Sequence, residues 1–134
     1  MKKIFLFVLL CLAAYISQAQ KTNSAGLHGK WVFVSSTEKD LGIIHENNLP
    51  NLVFDYVEKS VSGSTGCNTI KGSFNVEGDQ LTFGPMISTK KACTDMQVEN
   101  HINQLLTTVT SYKVDSNKLF LYSADKAKYL VYRK

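Results

Sequence analysis

The run Gly72-Ser73-Phe74-Asn75-Val76-Glu77-Gly78-Asp79-Gln80-Leu81-Thr82-Phe83 decides the fold class. Two β-prone segments, Phe74-Asn75-Val76 and Leu81-Thr82-Phe83, flank Glu77-Gly78-Asp79. Gly78 is free to take the positive φ that a tight hairpin turn demands. Asp115-Ser116-Asn117 joins Tyr112-Lys113-Val114 to Leu119-Phe120-Leu121 in the same manner. Gly72, inside its own strand, marks a bulge or tight bend of the sort closed sheets need.

Outward from this hairpin, short β-branched or aromatic runs recur, separated by turn residues. They cover Lys30–Ser36, Gly42–Glu46, Asn51–Val57, Lys59–Gly63, Thr69–Val76, Gln80–Phe83, Ser111–Asp115, Lys118–Ser123 and Lys128–Arg133. That rhythm predicts a mainly β domain, a single small antiparallel β-barrel or curved sheet. One segment breaks it. Between Asp95 and Val109, apolar side chains fall at Val98, Ile102, Leu105 and Val109, which is helical spacing on one face. Thr94 and Gln97 hold the positions of a capping box. The expectation is one α-helix over 95–109, packed across an open end or face of the sheet.

The N-terminus reads as an export signal. Met1-Lys2-Lys3 is a short positive region, Ile4 to Ala14 is almost unbroken apolar sequence, and Ser17-Gln18-Ala19 offers small residues for cleavage. Cleavage after Ala19 leaves a flexible lead-in over 20–26 and one domain over 27–134, with no transmembrane helix in the mature chain. The protein is therefore expected to be periplasmic or secreted. The alternative is a lipid anchor on Cys11, although Leu10 stands where lipoprotein signals carry a small residue. Lys2 and Lys3 leave with the signal, taking the formal charge from +4 to +2. So small and evenly spread a charge argues against nucleic acid as a partner.

Past the signal only Cys67 and Cys93 remain. In an exported domain two cysteines read as one disulfide. It would close a loop of about 26 residues and contribute roughly 3.5 kcal/mol through chain entropy. Two other readings stay open: a redox-active bond, and a Cys67 nucleophile with His101 or His45 as its base.

These residues also carry a resemblance. Leu27-His28-Gly29-Lys30-Trp31, Pro50-Asn51-Leu52-Val53-Phe54, Gly66-Cys67-Asn68 and Gly72-Ser73-Phe74 resemble the META domain family of HslJ-like proteins. Leu81-Thr82-Phe83, Thr89 to Cys93, Tyr112, Leu119-Phe120-Leu121 and Leu130-Val131-Tyr132 continue the match. The resemblance implies a compact antiparallel β fold with one helix in exported or lipid-anchored bacterial proteins tied to stress and envelope integrity. It supplies no catalytic residues and no cofactor. Thr69-Ile70 and Lys90-Lys91 depart from the family pattern, so a surface formed there would bind something different.

Gly66, Asn68, Gly72 and Thr89 are thus structural motif positions. Behind Gly66, Asn68 suits a turn whose amides it bridges, with ligand contact as the alternative. Trp31 is the other candidate to face a ligand, as the lid of a cavity lined by barrel aromatics. His28, His45 and His101 lack the mutual spacing of metal ligands, and no metal is expected. The functional expectation is a monomeric, non-catalytic domain of the cell envelope with a protein or small-molecule partner. The alternatives are a lipocalin-like carrier of an apolar ligand and a Cys-based redox or hydrolytic enzyme.

Overall fold

The computed structural model describes residues 26–37, 41 and 49–134. The export signal, Cys11, His45 and the strand expected at Gly42–Glu46 lie outside the described residues. Eight strands follow one another in order around a closed antiparallel barrel. They are β1 (Gly29–Ser36), β2 (Asn51–Asp55), β3 (Ser60–Ser64), β4 (Thr69–Glu77), β5 (Gln80–Ser88), β6 (Val109–Asp115), β7 (Lys118–Ser123) and β8 (Tyr129–Arg133). One helix, α1 (Gln97–Leu106), interrupts the meander between β5 and β6.

Alternation along each strand fills the interior. Trp31 and Phe33 of β1, Leu52 and Phe54 of β2, Leu119 and Leu121 of β7, and Leu130 and Tyr132 of β8 all turn inward and are buried. Phe54 meets Phe74 edge-on at 5.1 Å and stacks on Phe83 at 6.1 Å, so the aromatic rings interlock across the barrel. Closure joins β8 to β1, where Phe33 stands opposite Tyr132.

Both expected hairpins form. Glu77 pairs with Gln80 and Asp115 with Lys118, while Gly78 (φ 63°) and Ser116 (φ 53°) supply the positive φ of the turns. Strand β2 stops at Asp55, short of Val57, because the Asp55 carboxylate accepts the amides of Val57 and Glu58 and folds the chain into a turn. Strand β5 outruns its expected end at Phe83. Gly84-Pro85 is absorbed as a bulge between the pairs Gly72–Met86 and Phe74–Phe83. Proline has no amide to lose there. Gly72 is required at this point, since a Cβ would lie 2.9 Å from the Pro85 carbonyl oxygen and from Met86 Cγ.

The helix is shorter than the periodicity suggested. It ends at Leu106, and Val109, the last member of the apolar stripe, opens β6 instead. Thr107 and Thr108 donate their hydroxyls to the carbonyls of Gln104 and Leu105, three residues back, which ends the helix while Val109 enters the sheet opposite Ser123. The capping box does not form. Met96 occupies the N-cap without a capping side chain, and the Asp95 carboxylate takes the Gln97 amide. Asp95 stands one residue nearer the helix than Thr94 and carries the stronger acceptor.

Helix α1 plugs one end of the barrel. Ile102, Leu105 and Leu106 join the core, and His101 hydrogen-bonds through Nε2 with the hydroxyl of Ser36 at the end of β1. At the other end, Leu27 is fully buried and its carbonyl accepts the Trp31 indole N–H at 2.7 Å. Lys134 Nζ stands 5.1 Å from the centre of that indole ring.

Candidate functional site

Two features flank α1: an anchored rim at its N-terminal end and a recess at its C-terminal end. The rim begins with the turn joining β3 to β4. Gly66 takes φ 123°, a conformation closed to residues with a side chain, and so the turn can present the next two amides toward the helix. Cys67 is joined to Cys93 across 26 positions, which fixes the segment before α1 against the turn.

Glu99, in the first turn of α1, accepts the Cys67 amide at 3.1 Å and the Asn68 amide at 2.6 Å through Oε2. Its Oε1 accepts Asn68 Nδ2 at 2.6 Å. Burial pushes the Glu99 carboxyl up, but the hydrogen bonds from Asn68, Thr65 and Cys67 together outweigh it and hold the group below the ordinary glutamate range. A buried carboxylate is tolerated here because donors surround it.

Asn68 is saturated. Its Nδ2 also donates to the Lys91 carbonyl at 3.2 Å, and its Oδ1 accepts the Thr89 hydroxyl and the Lys91 amide, each at 2.7 Å. Two donor hydrogens and two acceptor positions exhaust a carboxamide. Asn68 is 3 % exposed, so it bridges the turn, the 89–91 segment and the helix and presents nothing to a ligand. Thr89 completes the knot by accepting the Thr69 amide at 3.1 Å.

The remaining sequence candidates lie apart from this rim. Trp31, a candidate ligand lid, sits in the core with no exposed surface and its N–H already bonded. His28 accepts the Tyr56 amide at 3.3 Å, and His101 is engaged with Ser36. Among the described residues no cluster of histidine, cysteine or acidic side chains has metal-binding geometry, and no helix is long and apolar enough to cross a membrane.

Sequence reasoning missed Glu99. The signal was present: Glu99, Ile102 and Leu106 share one helical face, and a carboxylate on a buried stripe implies donors waiting for it.

At the other end of α1, the barrel wall thins. Ladder pairing between β5 and β6 is confined to Gln80 opposite Ser111, with the Tyr112 amide donating to the Asp79 carbonyl beside it. Beyond Gln80, β5 and the C-terminal half of α1 border a half-open recess of about 500 Å³. Ile70, Phe83, Pro85, Met86 and Leu106 give it apolar walls.

An eight-stranded antiparallel barrel with a helix plugging one end, stapled by a disulfide at that rim, defines the class of this protein. The chain matches the META domain across residues 25–134 and belongs to that family. No protein of curated function matches it. Its fold is similar to the NMR structure of a protein from Burkholderia xenovorans, with a TM-score of 0.66 and 20 % identity over 84 % of this chain and 88 % of that one. A second NMR structure shares 25 % identity at a TM-score of 0.64, over 84 % of this chain and 94 % of that one. A crystal structure of a DUF4847 family protein from Bacteroides vulgatus aligns at a TM-score of 0.59 with 18 % identity, over 80 % and 92 % of the two chains.

Proposed function

We propose that this META domain is an exported, non-catalytic binding module of the cell envelope, with a role in envelope integrity under stress. The observation that carries the reading is the Cys67–Cys93 disulfide, set into a rim where Glu99 and Asn68 are fully engaged in structural hydrogen bonds. A disulfide so placed suits an oxidising compartment and leaves Cys67 without a thiolate for nucleophilic chemistry. The apolar leader over residues 4–14 supports export independently.

The test is to express the full chain in a bacterial host, fractionate the cells and weigh the purified domain without reductant. The reading expects an envelope or secreted fraction, a mass short by two hydrogens, and no alkylation until the protein is denatured and reduced. A lipid on Cys11 would keep the domain in the envelope and anchor it. A native, alkylatable thiol at Cys67, or retention of the chain in the reducing cytosol, would overturn the reading.

A further inference from the structure

We infer that the recess between β5 and α1 is the binding site of this module, and that it takes an uncharged, largely apolar molecule carrying one hydrogen-bonding group. The inference rests on the proposed reading of the chain as a binding module and supplies the ligand class. The recess holds about 500 Å³, within the roughly 300–1,000 Å³ of small-molecule sites. Its back wall is rigid: Phe83 stacks on Phe54 in the core, and Leu106 is buried on the plugging helix. The Gly84-Pro85 bulge, held against Ser73 and Gly72, shapes the opposite side.

The lining chemistry selects the ligand. Among the described residues no charged side chain lines the recess, so an ionised group placed there would lose hydration without a counter-charge from them. Three polar side chains reach it: Ser88, Asn103 and Thr107. Ser88 already donates to the Thr89 carbonyl and Thr107 to the Gln104 carbonyl. Asn103 is half-buried, and its carboxamide has no hydrogen-bond partner among the described residues. It offers a donor and an acceptor at the edge of an apolar wall, the pairing a hydroxyl or a carbonyl fits. A partner strand fits less well, because Pro85 removes a donor from the stretch of β5 where strand addition would occur.

The experiment is a titration of the oxidised domain with 1-octanol, followed by amide shifts in two-dimensional NMR, with sodium octanoate as the charged comparison. Octanol is expected to give saturable shifts clustered at Ile70, Phe83, Met86, Asn103 and Thr107, and to bind more tightly than octanoate. Asn103→Ala should keep the spectrum of the fold and weaken octanol about five-fold, the loss of one neutral hydrogen bond. Shifts elsewhere, no saturable shifts, tighter octanoate binding or an unchanged affinity in Asn103→Ala would each overturn the inference. So would concentration-dependent shifts at the recess without ligand, which would give it to a second copy. An uncharged valine–threonine pentapeptide that binds where octanol does not would give it to a polypeptide. Intact mass and alkylation, measured on the same sample, keep the two readings apart. A free Cys67 thiol sinks the proposed function, whereas an oxidised exported protein with a silent recess sinks this inference alone.

Discussion

The two ends of α1 are built on opposite terms. At the N-terminal end, a covalent bond, a buried carboxylate and a saturated asparagine lock the helix to the β3–β4 turn. At the C-terminal end the helix leans on a barrel seam with one ladder pair, next to a recess where the Asn103 carboxamide has no partner among the described residues. An eight-stranded barrel is either filled by its side chains or holds one small molecule. Here Trp31, Phe54 and Leu81 fill the interior, and the recess lies at the seam rather than along the axis. Opening a seam removes backbone pairing and loosens the wall. The locked end offsets that loss by fixing the helix that borders the recess.

The largest way to break this contrast is to cut the staple. Cys67→Ser paired with Cys93→Ser should lower unfolding free energy by about 3.5 kcal/mol, the chain-entropy value for a loop of this length, read from urea midpoints. An unchanged midpoint would mean that the turn and the helix are held by other contacts.

Next in size is Glu99→Ala, which strands the buried amide of Asn68 and the part-buried amide of Cys67 and should cost about 2–3 kcal/mol. The same carboxylate gives a pH test with a definite sign. Its pKa lies below the unfolded value, so its contribution is fully present above the ordinary glutamate range and is lost as pH falls through the folded pKa. Urea midpoints measured from pH 6 down to pH 3 should fall, and Glu99→Gln should flatten that slope. Equal slopes in the two proteins would remove Glu99 from the anchor.

On the seam side, Gly72→Ala should cost about 1–3 kcal/mol, because the new methyl meets the Pro85 carbonyl and Met86 at 2.9 Å. It should also disturb the recess that this bulge shapes, whereas Glu99→Ala should not. The smallest effect belongs to neither end. Tyr132 is fully buried with no partner for its hydroxyl among the described residues, and Tyr132→Phe should stabilise the barrel by about 1 kcal/mol. A destabilised Tyr132→Phe would reveal a partner for that hydroxyl.

Much of the barrel was legible in the sequence because each strand carries its own signal. Phe74 to Phe83 announces a hairpin by composition alone, and Gly72 announces its bulge. The errors fall where two elements compete for one residue. Val109 continues the helical stripe but is captured by β6, and Gly84-Pro85 punctuates the chain without ending its strand. At the site, Cys67, Cys93, Asn68 and Thr89 could be named from the chain. Their partner Glu99 carried only an indirect signal, a carboxylate beside the apolar stripe, and its partners come into reach only when the helix docks against a turn more than thirty residues earlier in sequence. The recess was illegible for the same reason: Ile70, Phe83 and Leu106 become neighbours only when the barrel closes.

The most direct test of the account is amide hydrogen exchange on the oxidised and the reduced domain. The amides of Cys67 and Asn68, held by Glu99, should be protected while the disulfide is intact. On reduction they and the first turn of α1 should open first, while β1 to β3 stay protected. Unchanged protection at Cys67 and Asn68 after reduction would contradict the claim that the staple and the carboxylate form one anchor.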